Sequence, residues 1–143
     1  LDILSKKIKL LMPLHPGTKK KINDLDLKKI FKNKRIKFIQ PISYLDNLTA
    51  IKNSKIVITD SGGMQRESYF LNIPSIIVRN ETEWTELIKE KASFLSSPNE
   101  ISKTYKNITN EKFNKNLKLF GNGKAALKIA KFLKKLSLKK WKF

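Results

Sequence analysis

The segment KIVITDSGGMQRESYFLN, residues 55–72, decides how the whole chain is read. It opens on a short apolar, β-branched run, which reads as a buried strand. It then crosses Asp60-Ser61-Gly62-Gly63 and continues from Met64 as a short helical pattern that Asn72 closes, with Pro74 just beyond. Adjacent glycines between a strand and a helix have two readings. They can be an ordinary turn with a capping serine, or a cradle in which a helix N-terminus meets an anion. On spacing alone the two are equally open. Glu67, one helical turn past Gly63, adds a carboxylate suited to accept hydrogen bonds from ribose hydroxyls.

The same alternation extends in both directions. IKLLMPL (8–14), RIKFIQP (35–41), SIIVR (75–79) and ASFLSS (92–97) read as further strands. Between them, residues 18–33, 43–54 and 82–91 carry helical patterns, with Ser43 and Thr82 placed as caps. Continuously apolar strands separated by helices predict an α/β domain with a doubly wound, Rossmann-like parallel sheet. Its core is expected over about residues 8–97 of a single domain, 1–143, followed by a helical segment over about 98–143. In that segment EKFNKNLKLFG and GKAALKIAKFLKKL read as helices. The second puts Ile129, Phe132, Leu133 and Leu136 in an apolar stripe and Lys124, Lys128, Lys131 and Lys135 on another face. The stripe is expected to pack on the domain, leaving the lysines in water.

The chain has 143 residues and a formal net charge of +19, which raises nucleic acid or an anionic membrane as partners. Of its 31 basic residues, however, only Arg35, Arg66 and Arg79 are arginine, the residue that base and phosphate readers favour. Nucleic acid is therefore not the expected partner, although a lysine-rich polyanion-binding module is retained as an alternative. Cysteine is absent and His15 is the single histidine, so thiolate and His-rich metal sites are excluded, and no metal or cofactor is expected. No apolar run reaches the length of a membrane span, no leader peptide is recognisable, and a cytoplasmic protein is expected. The chain opens on Leu1 rather than methionine, which suggests a fragment or a split-gene product.

Other polar groups fall at predicted strand ends. His15 follows the first strand, and Arg79 follows the fourth, where it can meet a phosphate or pair with Glu83 or Glu86. Glu83 and Glu86 read either as catalytic carboxylates or as acidic residues of a capped helix start. Such convergence at the carboxyl edge of a parallel sheet is what a ligand crevice needs.

Taken in order, IQPISYLDNL, KIVITDSGGMQRESYFLNIPSIIVRNETEWTEL and FGNGKAALKIAKFL closely resemble the C-terminal domain of non-hydrolysing UDP-N-acetylglucosamine 2-epimerases, and MPLHPGTKKKI fits the strand and turn before them. The resemblance spans roughly residues 5–138. It implies one half of a two-domain GT-B architecture, with UDP or a UDP-N-acetylhexosamine held in the cleft between two Rossmann-like domains. It further implies a cytoplasmic isomerase of nucleotide-sugar metabolism, serving cell-surface polysaccharide biosynthesis. Such an enzyme interconverts UDP-N-acetylglucosamine and UDP-N-acetylmannosamine by eliminating and re-adding UDP. Carried onto this sequence, Ser61, Gly62 and Gly63 would hold the diphosphate and Glu67 the ribose. Ile42 and Asn47 would border the uracil, and His15, Arg79 and Trp84 would also approach the nucleotide.

The departures are equally informative. Gly17 stands where the family usually has arginine, Asn47 where it has an aromatic residue, and Arg66 where it has an acidic one. Trp84 occupies a position that is more commonly arginine, and Glu90-Lys91-Ala92 runs through where the family has a glycine. The family's acid and base carboxylates belong to an N-terminal domain absent from this sequence, so the chain is expected to be catalytically incomplete alone. An N-terminal Rossmann-like domain or a second copy is the expected partner. Another GT-B glycosyltransferase is the alternative within the same architecture.

Overall fold

The computed structural model describes residues 1–24, 35–110 and 119–140. Two parallel ladders form its centre. In the first, β1 (Leu10–Pro13) pairs with β2 (Ile36–Ile39), Leu10 opposite Ile36. In the second, β4 (Ser75–Ile77) lies between β3 (Val57–Thr59) and β5 (Ser93–Leu95), with Ile58, Ile76 and Phe94 side by side. The sequence predicts one continuous sheet, whereas the described strands are only three or four residues long and their hydrogen bonds stop between β1 and β3. Packing closes what hydrogen bonding leaves open. Leu10 joins Ile56, Ile58, Val78 and Phe94 around the buried side chains of Leu4, Ile76, Ile101 and Ile108, so both ladders share one core.

β4 is the most enclosed strand, buried at all three positions, which explains its unbroken apolar pattern. Its one polar side chain, Ser75, meets Ser93 of β5 at 2.8 Å and is thereby satisfied in the interior.

Helices connect the strands as the alternation predicts. α2 (Pro16–Asp24) follows β1, and the rest of the predicted 18–33 helix lies outside the described residues. α3 (Tyr44–Lys52) is capped by Ser43, whose hydroxyl accepts the Asp46 amide at 3.2 Å. α4 (Gly62–Leu71) ends on Asn72 in the left-handed conformation, φ 69°. α5 (Thr85–Lys89) is shorter than predicted, and Thr82 does not cap it. Two helices were not drawn individually from the sequence, although the second lies within the helical segment expected over about 98–143. α1 (Asp2–Ser5) buries Leu4, and α6 (Ile101–Asn110) buries Ile101 and Ile108, two turns apart on one face. The predicted helix at 111–121 falls largely outside the described residues.

α7 (Ala125–Lys140) forms where predicted but does not pack as predicted. Leu127, Ile129, Phe132, Leu133 and Leu136 are between 48% and 62% exposed, so the apolar stripe faces solvent along with the lysines. The chain reaches this helix through Gly121 and Gly123, both at positive φ, after Phe120 has docked against α4.

Lys91, between α5 and β5, sits at φ 53°, a conformation that an L side chain adopts at a cost and glycine adopts freely. The structure thus asks for glycine at the point where the sequence departs from the family pattern. Lys91→Gly is expected to raise the unfolding free energy by about 0.5–1 kcal/mol in urea titration.

Candidate functional site

The site is built at the junction of β3 and α4. Thr59 closes β3, and its hydroxyl accepts the Ser61 amide at 3.0 Å, which aims the chain into the helix. Ser61 is the N-cap residue in extended conformation (φ −82°, ψ 125°), yet its hydroxyl makes no capping hydrogen bond. The helix begins at Gly62 rather than at Met64, so both glycines lie in its first turn and not in a turn before it. Amides at these positions have no helical carbonyl to bond, and they carry the positive end of the dipole.

Neither Gly62 nor Gly63 is at positive φ, so conformational freedom does not explain the pair. Space explains Gly62. A Cβ on Gly62 would run into the Glu83 carboxylate and lie 3.4 Å from Trp84 Nε1; one on Gly63 would lie 4.0 Å from Glu67 Oε1. The bare backbone is therefore surrounded by polar side chains: Ser61 in front, Glu67 on the Gly63 side, and Glu83 and Trp84 on the Gly62 side.

The loop after β4 supplies that second side. Gln65, fully buried in the first turn of α4, accepts the Thr82 hydroxyl at 2.6 Å, and Thr82 in turn accepts the Trp84 amide at 3.2 Å. Arg79 pairs with Glu83 at 3.0 Å, so of the two partners open to Arg79 the structure selects Glu83. Hydrogen bonding by its own backbone amide holds the Glu83 carboxyl below the usual carboxylate range; desolvation opposes this, and the charges of Arg79 and Arg66 assist it. Glu83 is therefore an anion at neutral pH. Glu86 lies exposed in the first turn of α5, the position of an ordinary helix-start carboxylate.

An aromatic cluster backs the site. Phe120 meets Tyr69 at 5.4 Å, Phe70 at 5.8 Å and Trp84 at 5.7 Å between ring centroids. Tyr69, Leu87 and Ala92 are buried beneath it. The Arg66 guanidinium stacks on the outer part of this cluster, 4.3 Å from the Trp84 ring centroid.

Among the described residues, three buried side-chain polar atoms lack any hydrogen-bond partner: Gln65 Nε2, Ser68 Oγ and Trp84 Nε1. All three belong to α4 or to the loop packed on it. Next to this region, an open depression of about 450 Å³ is lined by Val78, Arg79, Asn80, Glu81, Ser96 and Pro98 at the ends of β4 and β5.

The remaining sequence candidates lie on the neighbouring ladder. Ile42 and Asn47 are half-buried where β2 leads into α3, and α3 packs on α4. His15 follows β1; its Nδ1 accepts the Gly17 amide at 3.3 Å, a local structural bond. Gln65 and Phe120 were not singled out from sequence. A signal for Gln65 existed, because it shares a helix face with buried Ser68 and Tyr69, three and four residues on. Among the described residues no three acidic or histidine side chains are grouped as a metal site requires, and no helix is long and apolar enough to cross a membrane.

Thr82→Val would leave buried Gln65 without its remaining side-chain partner. It is expected to lower stability by about 1–3 kcal/mol in denaturant titration, more than a surface threonine change would.

The sequence profile of the UDP-N-acetylglucosamine 2-epimerase family matches residues 1–134. The Methanocaldococcus jannaschii UDP-N-acetylglucosamine 2-epimerase is 37% identical over 137 residues, covering 93% of this chain and 36% of the relative. The Pseudomonas aeruginosa UDP-2,3-diacetamido-2,3-dideoxy-D-glucuronate 2-epimerase is 33% identical over 127 residues, covering 87% and 34%. The crystal structure of the M. jannaschii enzyme in complex with UDP-GlcNAc and UDP superposes with a TM-score of 0.77 at 35% identity, covering 92% of this chain and 37% of that one. The chain thus spans little more than a third of the length of these relatives.

Proposed function

The chain belongs to the UDP-N-acetylglucosamine 2-epimerase family, and from that premise we propose that it is the C-terminal, UDP-gripping part of such an isomerase. One observation supports this most directly. A serine hydroxyl free of capping duty, two glycine amides at a helix N-terminus and the Glu67 carboxylate lie together at the carboxyl end of β3. The amides and Ser61 take the diphosphate, and Glu67 accepts the ribose hydroxyls, since a carboxylate is suited to hydroxyl donors and repelled by phosphate. Ile42 and Asn47 border the uracil, while Arg79, Trp84 and His15 are secondary contacts.

In the proposed reaction the C2 proton and UDP leave the sugar together to give a glycal. UDP then adds back at C1 as C2 is reprotonated on its opposite face. The leaving group departs as a diphosphate anion, and fixed amides at the start of α4 stabilise that charge without reorganising. Glu67 and the glycine amides keep UDP in place while the intermediate exists. The groups that remove and return the C2 proton are assigned to an N-terminal Rossmann-like domain or partner, making this chain one half of a GT-B arrangement. The exposed apolar stripe of α7 is a surface that such a partner could cover.

Calorimetric titration tests the reading. The chain is expected to bind UDP, and Glu67→Ala to weaken UDP about tenfold while leaving 2′,3′-dideoxy-UDP unchanged. Absence of binding at millimolar UDP would overturn the assignment. The purified chain alone is expected to show no exchange of the C2 proton of UDP-N-acetylglucosamine by NMR in deuterated buffer. Exchange would place the acid and base groups within it.

A further inference from the structure

Arg66 is unusual in its place. It lies in the second turn of α4, and two contacts hold it there. Its guanidinium lies on the face of Trp84, 4.3 Å from the ring centroid, and its charge reaches the Glu83 carboxylate. That carboxylate stands directly over Gly62 and is also paired to Arg79. Arg79 by an ion pair and Arg66 through its charge therefore both act on one carboxylate at the mouth of the cradle. Beside them is the Trp84 indole N–H, buried without an acceptor and 3.4 Å from where a Cβ on Gly62 would be. A buried donor left unbonded has a place for an acceptor, and the space next to it is over Gly62.

We infer that Arg66 is a further ligand-contacting residue, a cation held on Trp84 that pairs with the terminal phosphate once that phosphate displaces Glu83 from Gly62. The inference rests on the reading of this cradle as a UDP site. Orientation within the site follows from the two glycines. Glu67 lies on the Gly63 side and takes the ribose, so the diphosphate runs toward Gly62 and its terminal phosphate reaches Glu83, Trp84 and Arg66. Carboxylate and phosphate cannot share that position, because like charges a few ångströms apart repel. Glu83, whose side chain is half exposed, is the group that yields. Its departure leaves Arg66 and Arg79 to face the phosphate, and the indole N–H gains its acceptor. Trp84 sets the geometry of the cation and makes the site selective for a diphosphate over a monophosphate.

The test is calorimetric titration of the 143-residue chain with UDP and with UMP at low salt. Arg66→Gln is expected to weaken UDP about tenfold and UMP less than about twofold, collapsing the preference for the diphosphate. Arg66→Lys keeps the charge and is expected to retain most of that preference. Glu83→Gln removes the internal anion and is expected to tighten UDP about threefold. Unchanged thermal midpoints of the unliganded variants separate these effects from misfolding. If the unsubstituted chain binds UDP and Arg66→Gln binds it equally well, the inference is overturned and the UDP reading stands. If Glu83→Gln weakens UDP, displacement of the carboxylate is overturned. A chain that binds no UDP overturns the underlying reading, and Arg66's role with it.

Discussion

One hydrogen bond, from the Thr82 hydroxyl to buried Gln65 Oε1 at 2.6 Å, joins the two halves of the site. Gln65 belongs to the first turn of α4, and Thr82 to the loop that leaves β4. The Arg66–Trp84 stack and the packing of Tyr69 with Leu87 and Trp84 join the same two segments, but this bond is the polar tie between them. With it, Glu83 and Trp84 are carried over Gly62, and the aromatic cluster of Phe120, Tyr69 and Trp84 closes behind them. A buried amide is costly unless bonded, so Gln65 holds the loop in one place rather than tolerating several.

This constraint bears on Gly62. Its φ is ordinary, and alanine would form a helix more readily there. It is bare where the loop after β4 presses a carboxylate and an indole against the backbone, whereas a Cβ on Gly63 would meet only ordinary contacts from Ser61 and Glu67. The same crowding gives the site its electrostatics: a helix N-terminus, a carboxylate with a lowered pKa and two arginines within one small region. The fold supplies such a place because parallel strands bring their carboxyl ends, and the loops that follow, to one edge.

Much of this was legible before any coordinates. Apolar runs separated by helical patterns marked all five strands, and Ser43 and Asn72 were identified as the helix ends they are. Ser61, Gly62, Gly63 and Glu67 were identified as one group because they fall within seven residues at a single strand-to-helix junction. Thr82 was misread as a helix cap, since a threonine ahead of acidic residues has that local signature; in the structure its hydroxyl is taken by Gln65, seventeen residues earlier. α1 was missed because its single turn buries one apolar side chain, too few for a periodic pattern; α6 lies within the helical segment expected over about 98–143, but its face of Ile101, Tyr105 and Ile108 was not singled out. The apolar stripe of α7 was correctly seen, but periodicity states that a face wants cover and not what covers it.

The sequence by itself determined the α/β alternation, the family and the strand-to-helix junction that gathers Ser61, Gly62, Gly63 and Glu67, because each depends on residues close together in the chain. Only the tertiary structure decided that Arg66 rests on Trp84, that Glu83 occupies the space over Gly62, and that the sheet divides into two ladders around a shared core. Those outcomes depend on contacts between segments about twenty or more residues apart. Such contacts are set by how helices and loops pack on a three-dimensional core, a competition that no local pattern encodes.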